Sequence, residues 1–187
     1  MGLDYTQGCV NFRDVGEFVN TIAGESLMPT GRLLRGGKLD YVRSASSIGS
    51  PGTIISLRGS PDARMFAADY YHFPASNDIE KYETHRAEVR KWLNDVVSLF
   101  EKPNLHYPIL IHCTSGKDRT GIVVAALLRI LGIPDSIIIE EYLLSSGEVK
   151  EEWIREALDG IGPPETYFKR LDLIAVGQSI LGYQHSS

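Results

Sequence analysis

Apolar residues recur along this chain in two rhythms. Short runs at Arg32 to Arg35, Thr53 to Leu57, Tyr70 to Phe73 and Pro108 to His112 predict strands, and Gly8 to Gly16 predicts a short edge strand followed by a turn. Helical spacing of Tyr82, Val89, Trp92, Leu93, Val96 and Phe100 predicts one long helix from Glu80 to Glu101. Gly121 to Leu131 is apolar on all sides, as a helix buried in a core would be. Further helices are predicted over Asp135 to Leu144, Glu148 to Leu158 and Thr166 to Ile180, with a helical turn or two at Lys38 to Ala45. Pro61 and Asp62 predict the start of a short helix through Ala68. Strands alternating with helices imply an α/β fold: a central, mostly parallel sheet with helices on both faces and a helical C-terminal part.

A length of 187 residues fits a single domain, 1–187, in which the helices from about residue 146 are the least determined part. The net charge of -5 argues against nucleic-acid or anionic-membrane partners held by bulk charge. The charge is uneven, with seven Lys/Arg against six Asp/Glu up to residue 64 and twelve against eighteen beyond it, so a phosphate-binding face is expected in the first third. Two cysteines make neither a disulfide framework nor a metal-binding spacing. Without a secretory leader or an apolar run long enough to span a bilayer, a cytoplasmic protein with no integral membrane segment is expected.

Chemistry concentrates between the last predicted strand and the buried helix, in the polar loop Cys113 to Arg119. A thiol at a helix N-terminus beside cations is biased toward the thiolate. Backbone N–H groups of Thr114, Ser115, Gly116, Lys117 and Asp118 can form a nest for a tetrahedral oxyanion, and Arg119 offers a planar fork for two of its oxygens. His112 is placed to orient the cysteine from beneath, and Thr120 to hydrogen-bond a leaving thiolate. These residues read as a phosphomonoester hydrolase with Cys113 as nucleophile and Arg119 as clamp, needing no metal and no cofactor. Arg13, Arg35, Arg58 and Arg64 are candidate rim charges. Cys9 is a buried thiol, or a disulfide partner for Cys113 should the N-terminal strand pass near the loop.

The pattern HCxxGKDRTG at His112 to Gly121 resembles the signature of the cysteine-based protein-tyrosine phosphatase superfamily, in its bacterial and fungal branch. NFRDVG at Asn11 to Gly16, GRLLRGGKL at Gly31 to Leu39, IISLRGSPD at Ile54 to Asp62 and EEYLLS at Glu140 to Ser145 are similar to further elements of that branch. The resemblance implies a phosphocysteine intermediate and a phosphotyrosine protein as substrate with overlapping dual specificity; the alternative substrate is a phosphoinositide. Departures are Glu17 for a usual Gly, Ser56 for a usual Asp, and Ala75 after Phe73-Pro74, where some relatives carry their general-acid Asp. Asp78 and Asp118 are the candidates for that acid. The second is suggested by resemblance to the lipid-directed myotubularin loop, and otherwise reads as a structural carboxylate. Lys117 reads either as a helper for additional phosphates or as a solvated rim lysine. Two readings from other classes stand beside the hydrolase, a phosphate-binding module without turnover and a rhodanese-like sulfur transferase; the GKDRTG ending disfavours the latter.

Overall fold

The structure is a computed structural model, and it describes residues 2–75 and 82–183. Five strands form one sheet: β1 (Arg13–Asp14), β2 (Leu33–Gly36), β3 (Thr53–Ser56), β4 (Asp69–His72) and β5 (Ile109–His112), in the order β1-β2-β5-β3-β4. All neighbours are parallel except the two-residue edge strand β1, which runs antiparallel to β2. Register places Gly36, His112 and Ser56 side by side in the last row of the three central strands. Ligands of parallel α/β sheets gather at that carboxyl end, and Cys113 is the first residue beyond it.

Helices α1 (Val15–Ala23), α2 (Ala87–Ser98), α3 (Asp118–Ile130), α4 (Asp135–Leu143), α5 (Glu151–Ile161), α6 (Pro164–Tyr167) and α7 (Leu173–Leu181) complete the described fold. Alternate strand residues separate two cores. Leu33, Ile55, Ile109 and Ile111 face the helices, whereas Leu34, Ile54 and Leu110 pack against Leu39, Val42 and Ile48. The helices therefore gather on one face, while loops and a 3-10 turn at Ala45–Ile48 cover the other. Helix α3 lies deepest, with every residue from Thr120 to Leu128 buried, which accounts for its apolar sequence on all sides. No helix among the described residues is long and apolar enough to cross a membrane.

Besides the helices expected on both faces of the sheet, which gather on one, five expectations are corrected. Helix α1 was not anticipated: Asp14, the last residue of β1, caps it by accepting from the N–H groups of Gly16 (3.0 Å) and Glu17 (3.4 Å). Pro61 to Ala68 is not helical, because the Asp62 side chain is engaged elsewhere and Phe66 adopts φ +50. In place of a helix from Glu80, α2 begins at Ala87, after buried Thr84 has donated its hydroxyl to the Ala157 carbonyl at 2.6 Å. The last helix is split, since Asp172 caps a new start at Leu173 through the Ala175 N–H while its own N–H donates to Glu101 at 2.7 Å. The turn expected within Lys38 to Ala45 falls later, at Ala45–Ile48.

Candidate active site

Residues 113–117 connect β5 to α3, and the rest of the chain holds this loop by its carbonyls. The Thr114 carbonyl accepts from Lys38 N–H (2.9 Å), that of Ser115 from Asn11 Nδ2 (2.8 Å), and that of Gly116 from Arg35 Nη2 (3.0 Å). In a trans peptide the C=O and the following N–H point opposite ways. Tying three carbonyls outward therefore turns the N–H groups of Ser115, Gly116 and Lys117 into the hollow of the loop, beside the positive end of α3. This is a nest for an oxyanion.

Glycines make the close approach possible. Gly116 has φ +71, and a Cβ there would stand 2.5 Å from the Gly36 carbonyl carbon and 2.7 Å from the Gly37 nitrogen. A Cβ on Gly37 would in turn meet the Thr114 oxygen at 2.9 Å. The paired glycines after Arg35 and the glycine of the loop thus form a backbone-to-backbone contact that side chains would prevent.

Beneath the loop lies a buried ionic cluster. Glu141 (1% exposed) accepts from Arg13 Nε at 2.7 Å and from Arg35 Nη1 at 2.6 Å, and Arg13 also donates to the Glu141 carbonyl and to Ser145 Oγ. Arg13 and Arg35 are 7% and 0% exposed, so their expected place at the rim is corrected. They are interior struts that join β1, β2 and α4 to the loop. Burial and the neighbouring Arg35 charge both lower the Arg13 pKa, against the Glu141 carboxylate that raises it. One carboxylate shared by two guanidinium groups leaves an excess positive charge close below the nest. Asn11, at φ +57, completes the strut by accepting from Ser146 N–H at 2.7 Å.

Cys113 is 3% exposed, at the floor of the loop. Its neighbour His112 is fully buried, with Nε2 2.7 Å from Asp62 Oδ2 and Nδ1 3.4 Å from the Cys113 carbonyl. Asp62 also accepts from Arg58 Nη1 (2.9 Å) and from the Tyr70 hydroxyl (3.0 Å). Burial alone would raise the Asp62 pKa, but the hydrogen bond and charge of His112, with the bond from Arg58, bring it down to about 2 from 3.8. An ionised Asp62 only accepts, so His112 donates from Nε2 and its ring is fixed under the cysteine. Arg58 spans Asp62 and Asp40, at 2.9 Å from each, and Arg64 donates to the Val42 carbonyl; neither is placed at the loop by any of these bonds.

The depressed Asp62 pKa has a testable consequence for stability. Its contribution, about 2 kcal/mol for a shift of this size, is present above the unfolded pKa near 4 and lost as pH falls through the folded value of about 2. In urea unfolding, the stability gap between wild type and Asp62→Asn is expected to be constant near neutrality and to narrow across that acid window. A gap independent of pH would show that the His112–Asp62 contact is not formed.

Arg119, in the first turn of α3, donates from Nη1 to the Leu57 carbonyl at 3.2 Å. The Lys117 Nζ donates to the Glu148 carbonyl at 2.9 Å and lies 3.1 Å from Asp118 Oδ2. The other Asp118 oxygen accepts from Tyr82, at 2.7 Å, and the Tyr82 hydroxyl meets that of Tyr142 at 2.6 Å. Thr120 Oγ1 is buried without a partner among the described residues. Asp78 lies outside the described residues. Cys9 is a free thiol 3.4 Å from the Gly37 carbonyl, and burial, with the Cys113 charge adding to it, pushes its pKa up to about 12. Asn11, Asp62, Tyr82 and Glu141 went unassigned in the sequence, although three of them sit inside the quoted motifs.

Residues 55–163 match the tyrosine phosphatase family. The chain belongs to that family. Among curated tyrosine phosphatase relatives, the triple specificity protein phosphatase PtpB of Mycobacterium tuberculosis is 32% identical over 108 residues, covering 54% of this chain and 34% of that protein. A tyrosine-protein phosphatase of Nostoc commune is 47% identical over 38 residues, 20% of this chain and 13% of that one. The matched stretch thus spans about a third or less of these relatives. In fold, the catalytic core of Siw14 aligns at a TM-score of 0.52 with 15% identity, covering 94% of this chain and 93% of that chain. DUSP15 aligns at 0.50 with 14% identity, covering 75% and 90%. The α/β fold expected from the sequence is thus shared with these solved structures.

Proposed function

We propose that this chain is a protein-tyrosine phosphatase-like hydrolase with dual specificity, a single domain acting on phosphomonoesters through a phosphocysteine. The observation that carries the reading is the loop of residues 113–117, whose carbonyls are tied outward so that its amides face inward around Cys113, with Arg119 beside them. The Cys113 thiolate attacks phosphorus while the bond to the leaving oxygen breaks, and a carboxylic acid delivers a proton to that oxygen. Water then attacks phosphorus, the S–P bond breaks, and phosphate leaves with the thiolate restored. Inward amides and Arg119 hold the equatorial oxygens throughout, and Thr120 Oγ1, having no other partner among the described residues, is available to the departing sulfur. No step calls on a metal.

A phosphorylated aromatic ring is the favoured substrate group. Lys38, whose backbone holds Thr114, carries its Nζ over the rings of Tyr5 (4.9 Å) and Tyr41 (5.6 Å), which places aromatic surface beside the loop. The name of the PtpB relative, triple specificity, supports breadth beyond tyrosine. For the general acid, both Asp118 oxygens already face donors, Tyr82 and Lys117, which suits an acceptor that braces the loop and leaves Asp78 as the proton donor.

Hydrolysis of p-nitrophenyl phosphate and of an alkyl phosphate, in chelator, tests both points. Wild type is expected to turn over p-nitrophenyl phosphate, and its absence would remove the hydrolase reading in favour of a phosphate-binding module. Asp78→Asn is expected to slow the alkyl phosphate by roughly 10²- to 10⁴-fold and the activated aryl ester far less. Selective slowing by Asp118→Asn instead would transfer the role.

A further inference from the structure

A second feature lies outside the phosphatase loop. Helix α2 and the segment after α6 border an open concavity of about 540 Å³, lined by no residue from 112 to 120. That volume is within the roughly 300–1,000 Å³ of small-molecule sites. Tyr167, 3% exposed, lines the cavity and carries the Arg90 guanidinium 4.8 Å from its ring centroid. Arg90 and Lys91 line it from α2, Lys169 and Arg170 from the other side. Its one carboxylate, Asp95, is already paired with Lys91 at 2.6 Å. Among the described residues, Arg90, Lys169 and Arg170 have no carboxylate partner.

Three cations without a carboxylate partner among the described residues thus line one concavity of a chain whose net charge is -5. Clustered like charges repel, and a bound polyanion relieves that repulsion. Two guanidinium groups supply planar forks that match phosphate oxygens, and their placement on two walls suits a ligand with more than one anionic group. An acidic peptide spreads its carboxylates along an extended chain, whereas Arg90, Lys169 and Arg170 all line one hollow of small-molecule size, with the Tyr167 ring among its lining residues.

We propose that this cavity binds a compact organic polyphosphate, either free or as the headgroup of a phosphorylated lipid. The site is independent of the catalytic reading. Calorimetric titration with inorganic triphosphate tests it at physiological salt, using an Arg119→Ala chain so that the catalytic loop contributes little. That chain is expected to bind one triphosphate, and Lys169→Glu with Arg170→Glu in the same background to weaken binding by about tenfold or more. Arg90→Ala, which reverses no charge, is expected to weaken it as well. On the otherwise wild-type chain the paired reversal leaves p-nitrophenyl phosphate turnover unchanged. No triphosphate binding by Arg119→Ala, or binding indifferent to the reversals, would overturn the proposal, as would equal affinity for an oligoglutamate peptide. Sedimentation with vesicles containing phosphatidylinositol bisphosphate separates the sources. Co-sedimentation that the reversals abolish assigns a lipid headgroup, and triphosphate binding without co-sedimentation assigns a free polyphosphate.

Discussion

Replacing Cys113 by Ser is expected to lower p-nitrophenyl phosphate turnover by roughly 10⁴- to 10⁶-fold, the scale on which removal of a covalent nucleophile acts in other hydrolases. The substitution keeps size and hydrogen-bonding capacity at a position only 3% exposed, so the fold should be retained. What is lost is the nucleophile, since a hydroxyl is far harder to ionise than a thiol. The amides of Ser115, Gly116 and Lys117 and the Arg119 fork remain in place. Phosphate affinity should therefore survive while turnover does not, and steady-state rates beside a direct phosphate-binding measurement check the two together. Loss of both would mean that the loop had collapsed.

Glu141→Ala is expected to cost about 3–5 kcal/mol of stability, the range for removing one partner of a buried ion pair. In this chain the carboxylate serves two guanidinium groups, 7% and 0% exposed, so its removal strands two cations in the interior. For a domain of this size, a loss on that scale lowers the melting temperature by roughly 10 °C. Activity should fall beyond what unfolding explains, because Arg35 also holds the Gly116 carbonyl at 3.0 Å. Thermal denaturation followed by circular dichroism, with kcat measured below the transition, checks both parts. A surface-like change of under 1 kcal/mol would contradict the buried cluster.

Which features could be read from the sequence follows from how local their causes are. The Cys113–Arg119 loop depends on six adjacent spacings and on one glycine, so it was legible with its strand and buried helix. Arg13 and Arg35 were misplaced at the rim because what buries them is Glu141, more than a hundred residues away; an arginine alone does not announce its partner. The motifs around them nevertheless carried a signal, since NFRD, LLRGG and EEYLLS converge on one loop. Helix α1 escaped because it buries only Val15, Gly16 and Val19 and starts inside a motif that reads as a turn. Pro61 and Asp62 imitate a helix start, but the Asp62 carboxylate is drawn to His112, fifty residues on. Tertiary pairing overrode local preference in each of these cases.

Catalysis as proposed turns on a covalent bond between the Cys113 sulfur and phosphorus. Rapid acid quench of wild type during turnover of an aryl phosphate, followed by mass spectrometry of the peptide containing Cys113, tests it most directly. A phosphoryl adduct is expected on the Cys113 sulfur and is absent from Cys113→Ser. Turnover at full rate with no adduct there, or with the adduct on another residue, would contradict it.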